Sequence, residues 1–228
     1  MVDLGRMHIR VSKNGPYLVD GPVPIARQTI VVDEKGESIA WAESDRGEKG
    51  SCALCRCGSS GVKPYCNGTH QTIGFDGTET ASRRPYAEAA TSIEGPSLVL
   101  MDEVELCAES RLCSARGKIW RRVAEDDGQS RDVVIEQSQL CPSGRYTVID
   151  RETGSAHESD LEPSIGLIED PQAGISGPLW VRGGAQVVSA GGEPYEVRNR
   201  MTLCRCGGSK NKPFCDATHV DIGFDDNE

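Results

Sequence analysis

Eight residues of this sequence have the types and spacing to hold iron or zinc. Cys55, Cys57, Cys66 and His70 follow the pattern Cys-x-Cys, eight residues, Cys, three residues, His, and Cys204, Cys206, Cys215 and His219 repeat it. Two cysteines one residue apart can clasp one metal ion with neighbouring thiolates. The loop must then fold back to bring the third Cys and the His to a second position. A tetrahedral structural zinc accepts this ligand set. Thiolate-rich sites also hold 2Fe-2S clusters, where two ligands serve each iron and a neutral His in place of Cys raises the reduction potential. Spacing alone leaves both metals open.

The elements around these residues must make a tight pocket. Gly58 or Gly207-Gly208, with Lys-Pro before the third Cys, supplies the turn, because Gly permits positive φ and Pro fixes its own φ. After the third Cys stand Asn67 and Asp216, both good N-cap residues for a short helix carrying the His in its first turn. Free N–H groups at that helix start would face the anionic thiolates. Ala217 occupies the place of Gly68, which predicts a helical conformation there rather than positive φ. Arg56, Arg205, Lys63 and Lys212 adjoin the ligands in sequence and either offset negative charge at the site or extend into solvent. His8 and His157 lie in no ligand spacing and read as ordinary surface or strand residues.

The repeat extends beyond the metal-type motif. Gly15-Pro16-Tyr17-Leu18-Val19-Asp20-Gly21 is restated as Gly177-Pro178-Leu179-Trp180-Val181-Arg182-Gly183, and Ile73-Gly74-Phe75-Asp76 as Ile222-Gly223-Phe224-Asp225. A duplicated module is therefore expected at 1–86 and again at 171–228, with a different segment at 87–170. β-prone runs at 28–32 and 37–42, separated by Asp33-Glu34-Lys35-Gly36, predict hairpins. In the middle segment, 97–101 and 146–149 read as strands and 132–140 as a short helix that stops before Cys141-Pro142. The polar stretches 124–131 and 150–162 read as solvated loops.

Composition narrows the function classes. Hydrophobic residues make up 37% and aromatics 5% of 228 residues, with 26 Gly and 12 Pro, so a turn-rich, β-rich α+β fold without long helices is expected. A net charge of −10 argues against nucleic acid as the main partner. No apolar run approaches the roughly 20 residues that span a bilayer, so a soluble, unexported, cytoplasmic protein without a membrane partner is expected. In that setting ten cysteines point to metal or redox chemistry rather than to a disulfide framework.

Residues 55–70 and 204–219 closely resemble the CDGSH iron-sulfur domain, or NEET, family. Its motif runs Cys-x-Cys, a short Ser-containing stretch, then Pro-x-Cys-Asp-Gly-Ser/Ala-His. The resemblance implies two 2Fe-2S clusters, with Cys55 and Cys57 on one iron and Cys66 and His70 on the other, and likewise Cys204 and Cys206, then Cys215 and His219. It also implies that the modules pack as an intrachain pseudo-dimer in a monomeric chain, with the middle segment as a small ferredoxin-like α/β insert. Asn67 stands where the motif has Asp, Ala217 where it has Gly, and Thr69 and Thr218 where Ser is usual. None of these removes a ligand, but the Asn67/Asp216 difference predicts unequal clusters.

Cys52 forms Cys52-x-x-Cys55, yet Met201 occupies its place in the second copy, so Cys52 reads as a small apolar residue. Cys107, Cys113 and Cys141-Pro142-Ser143-Gly144 resemble divergent single-cluster ferredoxin-like domains. A cubane cluster normally takes four Cys and only three are at hand, so a complete site needs a fourth ligand from elsewhere or an open iron; a degenerate insert with free, partly buried thiols is expected over such a third metal site. No nucleophile–base pair or phosphate loop stands out, so a non-enzymatic role is expected. The leading expectation is a single-electron carrier for a redox partner protein, proton-coupled through its His ligands. The alternatives are cluster storage or delivery to an apo-acceptor, and a zinc-stabilised interaction module.

Overall fold

The computed structural model describes residues 7–226. The first module contributes β1 (His8–Val11), β2 (Tyr17–Asp20), β3 (Val23–Val32), β4 (Ser38–Lys49), β5 (Cys52–Leu54) and the short helix α1 (Thr69–Thr72). Asp33 makes the β3–β4 turn, its carboxylate accepting from the N–H groups of Lys35 and Glu37, both at 2.9 Å. The hairpin expected at 28–42 is therefore present and longer than its apolar alternation suggested.

The middle segment follows with α2 (Tyr86–Ala89), β6 (Thr91–Glu94), β7 (Leu98–Asp102), a 3-10 turn at Val104–Leu106, α3 (Ile119–Arg122), α4 (Gly128–Leu140), β8 (Tyr146–Asp150) and β9 (Ala156–His157). Its strands form one antiparallel sheet in the order β6-β7-β8-β9. The helix expected at 132–140 starts four residues earlier, at Gly128, because Asp127 caps it by accepting from Ser130 N–H at 2.8 Å. Residues 128–131, expected as loop, are thus its first turn. This segment keeps its own core of Leu98, Leu100, Ile119, Val123, Val134, Cys141, Tyr146 and Val148.

The second module supplies β10 (Ser164–Asp170), β11 (Ile175–Arg182), β12 (Gln186–Val188), β13 (Arg200–Leu203) and α5 (Thr218–Asp221). β10 falls inside the range expected for the middle segment, yet it pairs antiparallel with β11 in the second module's sheet. Every residue of β10 is buried, so no apolar–polar alternation marked it as a strand.

The two modules exchange strands. One sheet runs β12-β1-β2-β5, with β12 of the second module parallel to β1 in the register Ile9↔Val187. The other runs β13-β11-β10-β3-β4, with β3 of the first module parallel to β10 in the register Ile25↔Ile165. Ile9, Val19, Ile25, Leu54, Ile165, Leu179, Val187 and Leu203 belong to one hydrophobic core drawn from both modules. The repeat alignment holds in register: Val19 faces Cys52 as Val181 faces Met201. Cys52 packs partly buried against this core.

Two side chains tie the middle segment to the modules at the C-terminus of α4. Buried Arg200 of β13 donates to the carbonyls of Ser138 (2.6 Å), Gln139 (2.8 Å) and Cys141 (3.1 Å), satisfying groups that a helix end leaves unpaired. Trp41 of β4 donates its Nε1–H to Leu140 O at 2.9 Å. Among the described residues, no helix is long and apolar enough to cross a membrane.

Candidate metal centres

Each motif begins where the last cap strand of its module ends. Cys55 follows β5, and Cys204 follows β13. The loop then folds back onto that strand: Cys55 N–H donates to Pro64 O (2.7 Å) and Cys66 N–H to Ala53 O (2.9 Å), as Cys204 N–H does to Pro213 O (2.8 Å) and Cys215 N–H to Thr202 O (2.9 Å). Ser60 and Ser209 brace the loop interior, their hydroxyls donating to Tyr65 O (2.6 Å) and Phe214 O (2.7 Å). The Lys63-Pro64 and Lys212-Pro213 bonds are both cis.

This folding gathers the eight candidate ligands into four pairs. Cys55 Sγ lies 3.7 Å from Cys57 Sγ, and Cys66 Sγ lies 3.3 Å from His70 Nδ1. The second site repeats this with 3.8 Å between the Cys204 and Cys206 sulfurs and 3.5 Å from Cys215 Sγ to His219 Nδ1. Among the described residues, no three His, Cys, Asp or Glu side chains converge on a point that one metal ion could occupy. Each motif thus presents two close donor pairs.

The expectation at Ala217 is overturned. Gly68 has φ 88° and Ala217 φ 70°, so both are left-handed, and helices of only four residues begin after them. The cause is local side-chain chemistry. Asn67 accepts from Thr69 N–H (3.2 Å) and Oγ1–H (2.6 Å), and Asp216 from Thr218 N–H (3.1 Å) and Oγ1–H (2.7 Å), closing a turn with the intervening residue left-handed. That conformation aims the N–H of Gly68 at Cys66 Sγ and the N–H of Ala217 at Cys215 Sγ, both at 3.4 Å. The donor to the thiolate is a single left-handed peptide, not a helix end.

Arg56 and Arg205 are neither solvated nor aimed at the sulfurs. Arg56 donates to Gly15 O (2.8 Å), Ser12 O (3.1 Å) and Gly77 O (2.9 Å). Arg205 donates to Gly177 O (2.9 Å), Ile168 O (3.0 Å) and Glu169 Oε1 (3.0 Å), and pairs with Asp226 at 2.8 Å. Each guanidinium clamps the preceding hairpin to its own motif. Lys63 reaches across to the second module, 3.4 Å from Asp225 O, while Lys212 donates to Ser209 O at 2.5 Å.

The sites differ in burial. Cys204, Cys215 and His219 are buried, whereas only Cys55 is buried among the first four. Burial, helped by the Arg205 charge, pushes the His219 imidazole down to about 4. Burial pushes the Cys215 thiol well up. Within the Cys204–Cys206 pair, the hydrogen bond from its neighbour favours the Cys204 thiolate.

Sequence reading missed Tyr17. Fully buried, it extends from the first module to donate to Cys204 O and Pro213 O of the second site, both at 2.9 Å. Its signal was the mismatch between copies, because Leu179 stands at the equivalent place. His8 lies in β1, and His157 in β9 stands 3.8 Å from Asp150; neither joins a ligand set.

In the middle segment, burial pushes the Cys113 thiol up, and the neighbouring Cys141 and Cys107 thiols add to this. Cys141 Sγ also lies 3.5 Å from Ser143 Oγ. Three thiols do not complete the four-thiolate set of a cubane cluster.

Residues 14–71 and 176–220 each match the family of iron-binding zinc fingers of CDGSH type, and residues 93–151 match the divergent 4Fe-4S mono-cluster family. No curated protein and no solved structure was found to match the chain.

Proposed function

Both ends of this chain belong to the CDGSH-type iron-binding family, and from that premise we propose that each module carries one 2Fe-2S cluster and passes single electrons to and from a protein partner. The two-by-two pairing of donors carries this reading. A rhombic two-iron cluster takes two ligands on each iron, whereas one tetrahedral zinc needs four donors around a single point. Cys55 and Cys57, at 3.7 Å, would hold one iron, and Cys66 and His70, at 3.3 Å, the other. The second site offers the same arrangement on Cys204, Cys206, Cys215 and His219. The N–H groups aimed at Cys66 and Cys215 stabilise anionic thiolates.

The reciprocal strand exchange supports reading the modules as an intrachain pseudo-dimer, since each sheet is completed by a strand of the other copy. We read the middle segment as a docked body whose Cys107, Cys113 and Cys141 fall one short of a four-thiolate set, and iron above four per chain would place a further cluster there on these three and a fourth ligand or an open iron. Cluster delivery to an apo-acceptor is the second reading. One observation favours it: Cys57, Cys66 and His70 are only half-buried, so the first site is reachable by another protein.

Iron, zinc and acid-labile sulfide per chain, measured with the visible spectrum on anaerobically purified protein, test the proposal. About four irons and four sulfides per chain, with no zinc, is the expected result. Two zincs without sulfide overturn it. Redox cycling with clusters retained separates electron carriage from delivery, which instead transfers colour to an apo-ferredoxin.

A further inference from the structure

The two motifs touch. A Cβ placed on Gly58 would lie 2.8 Å from the carbonyl carbon and 3.2 Å from the Cα of Cys206. Reciprocally, a Cβ on Gly207 would lie 2.9 Å from the carbonyl carbon and 3.1 Å from the Cα of Cys57. No side chain fits at either place, and both glycines hold positive φ, 75° and 82°. The peptide after the second cysteine of each site therefore rests in van der Waals contact with the backbone of that same cysteine in the other site.

We propose that this contact is an electron path, so that the two sites exchange an electron inside one chain. This rests on the reading that both sites hold clusters. From Cys206 Sγ the path follows the covalent chain through Cys206 and the peptide to Gly207. It then crosses one van der Waals gap to the backbone of Cys57 and continues through bonds to Cys57 Sγ. Gly58 offers the mirror route. Electronic coupling decays far more steeply across gaps than along bonds, and here bare glycine reduces the gap to a single contact.

The exchange balances by itself. One electron leaves the reduced site and enters the oxidised one, with no bond broken and no proton or further reactant needed. The surroundings hold the path rigid: Tyr17 ties the carbonyls of Cys204 and Pro213 together, and the Arg56 guanidinium lies 5.7 Å from the Tyr17 ring. The half-buried first site would receive electrons and the buried second site would share them. The partner would then meet a two-electron reservoir through one exposed port.

Flash photoreduction of the loaded full-length protein tests this. His70→Cys gives the first site an all-cysteine ligand set, which separates its spectrum from that of the second site and lowers its potential. The flash is expected to reduce the first site, followed by a first-order transfer to the second whose rate is independent of protein concentration. Adding Gly207→Ala inserts the methyl that the contact cannot hold and should slow that phase severalfold in the molecules that keep iron and sulfide at both sites. A transfer rate proportional to protein concentration, or one unchanged by Gly207→Ala, overturns the proposal. If either variant loses its cluster, electron paramagnetic resonance of the fully reduced wild type decides. Spin–spin broadening absent from the half-reduced sample supports the contact, and two independent signals overturn it. A colourless wild type without sulfide refutes the cluster reading instead, so the two failures are distinct.

Discussion

Tyr17 shows how one residue makes two copies of a site unequal. Its hydroxyl is buried, which pushes its acidity well away from neutral pH and keeps it a donor to the Cys204 and Pro213 carbonyls. Leu179 offers the first site nothing equivalent. Tyr17→Phe keeps the ring and leaves the Cys204 carbonyl without this donor, while Pro213 O still accepts from Cys204 N–H. A lost neutral hydrogen bond of this kind costs about 1 kcal/mol. Wild-type iron is expected to leave in two phases under chelator, the half-buried first site preceding the buried second. In Tyr17→Phe the slow phase should speed up and the fast phase stay. A shift of the fast phase, or none at all, would mean that Tyr17 does not brace the second site.

At the scale of elements, the two arginine clamps do the same job with different partners, and the difference sets their cost. Arg205 is enclosed with the Glu169 and Asp226 carboxylates, so Arg205→Met leaves these buried charges only the longer contacts to Arg27 (3.4 Å) and Lys63 (4.0 Å), a loss of about 3 kcal/mol or more. Arg56 binds only carbonyls, of Gly15, Ser12 and Gly77, so Arg56→Met leaves unpaired dipoles rather than charges, about 1–3 kcal/mol. Denaturant unfolding should rank the variants in that order, and the reverse ranking would show that the carboxylates do not govern the second clamp. Neither clamp was legible beforehand, because its carbonyls come from a hairpin distant in sequence. What the sequence did reveal was local: the repeated Cys/His motifs that the fold gathers into close pairs, the β3–β4 hairpin with its Asp33 turn, and α4 ending before Pro142. The left-handed Ala217 escaped because the alanine was weighed without the Asp216–Thr218 turn that enforces its conformation. β10 escaped because a strand buried on both faces carries no alternation.

The strand exchange makes the modules one folding unit, whereas the middle segment has a core of its own. The β1–β12 and β3–β10 registers join residues at opposite ends of the chain, which no local pattern encodes. Ile165 is fully buried where β10 meets Ile25 of the other module. Ile165→Ala removes packing from both modules at once, at about 2–5 kcal/mol. Both sites hang from this shared core through β5 and β13, so both should lose iron faster, in step with each other. Leu100 is equally buried but belongs to the middle core. Leu100→Ala carries a similar cost, which should fall on the middle segment: proteolysis should open residues near β7 and β8 while iron and sulfide stay bound. If Ile165→Ala releases iron from the second site alone, the modules fold independently and the exchanged strands are ornament. If both sites respond together, the duplicated modules survive as a pair because neither can close its sheet without a strand from the other.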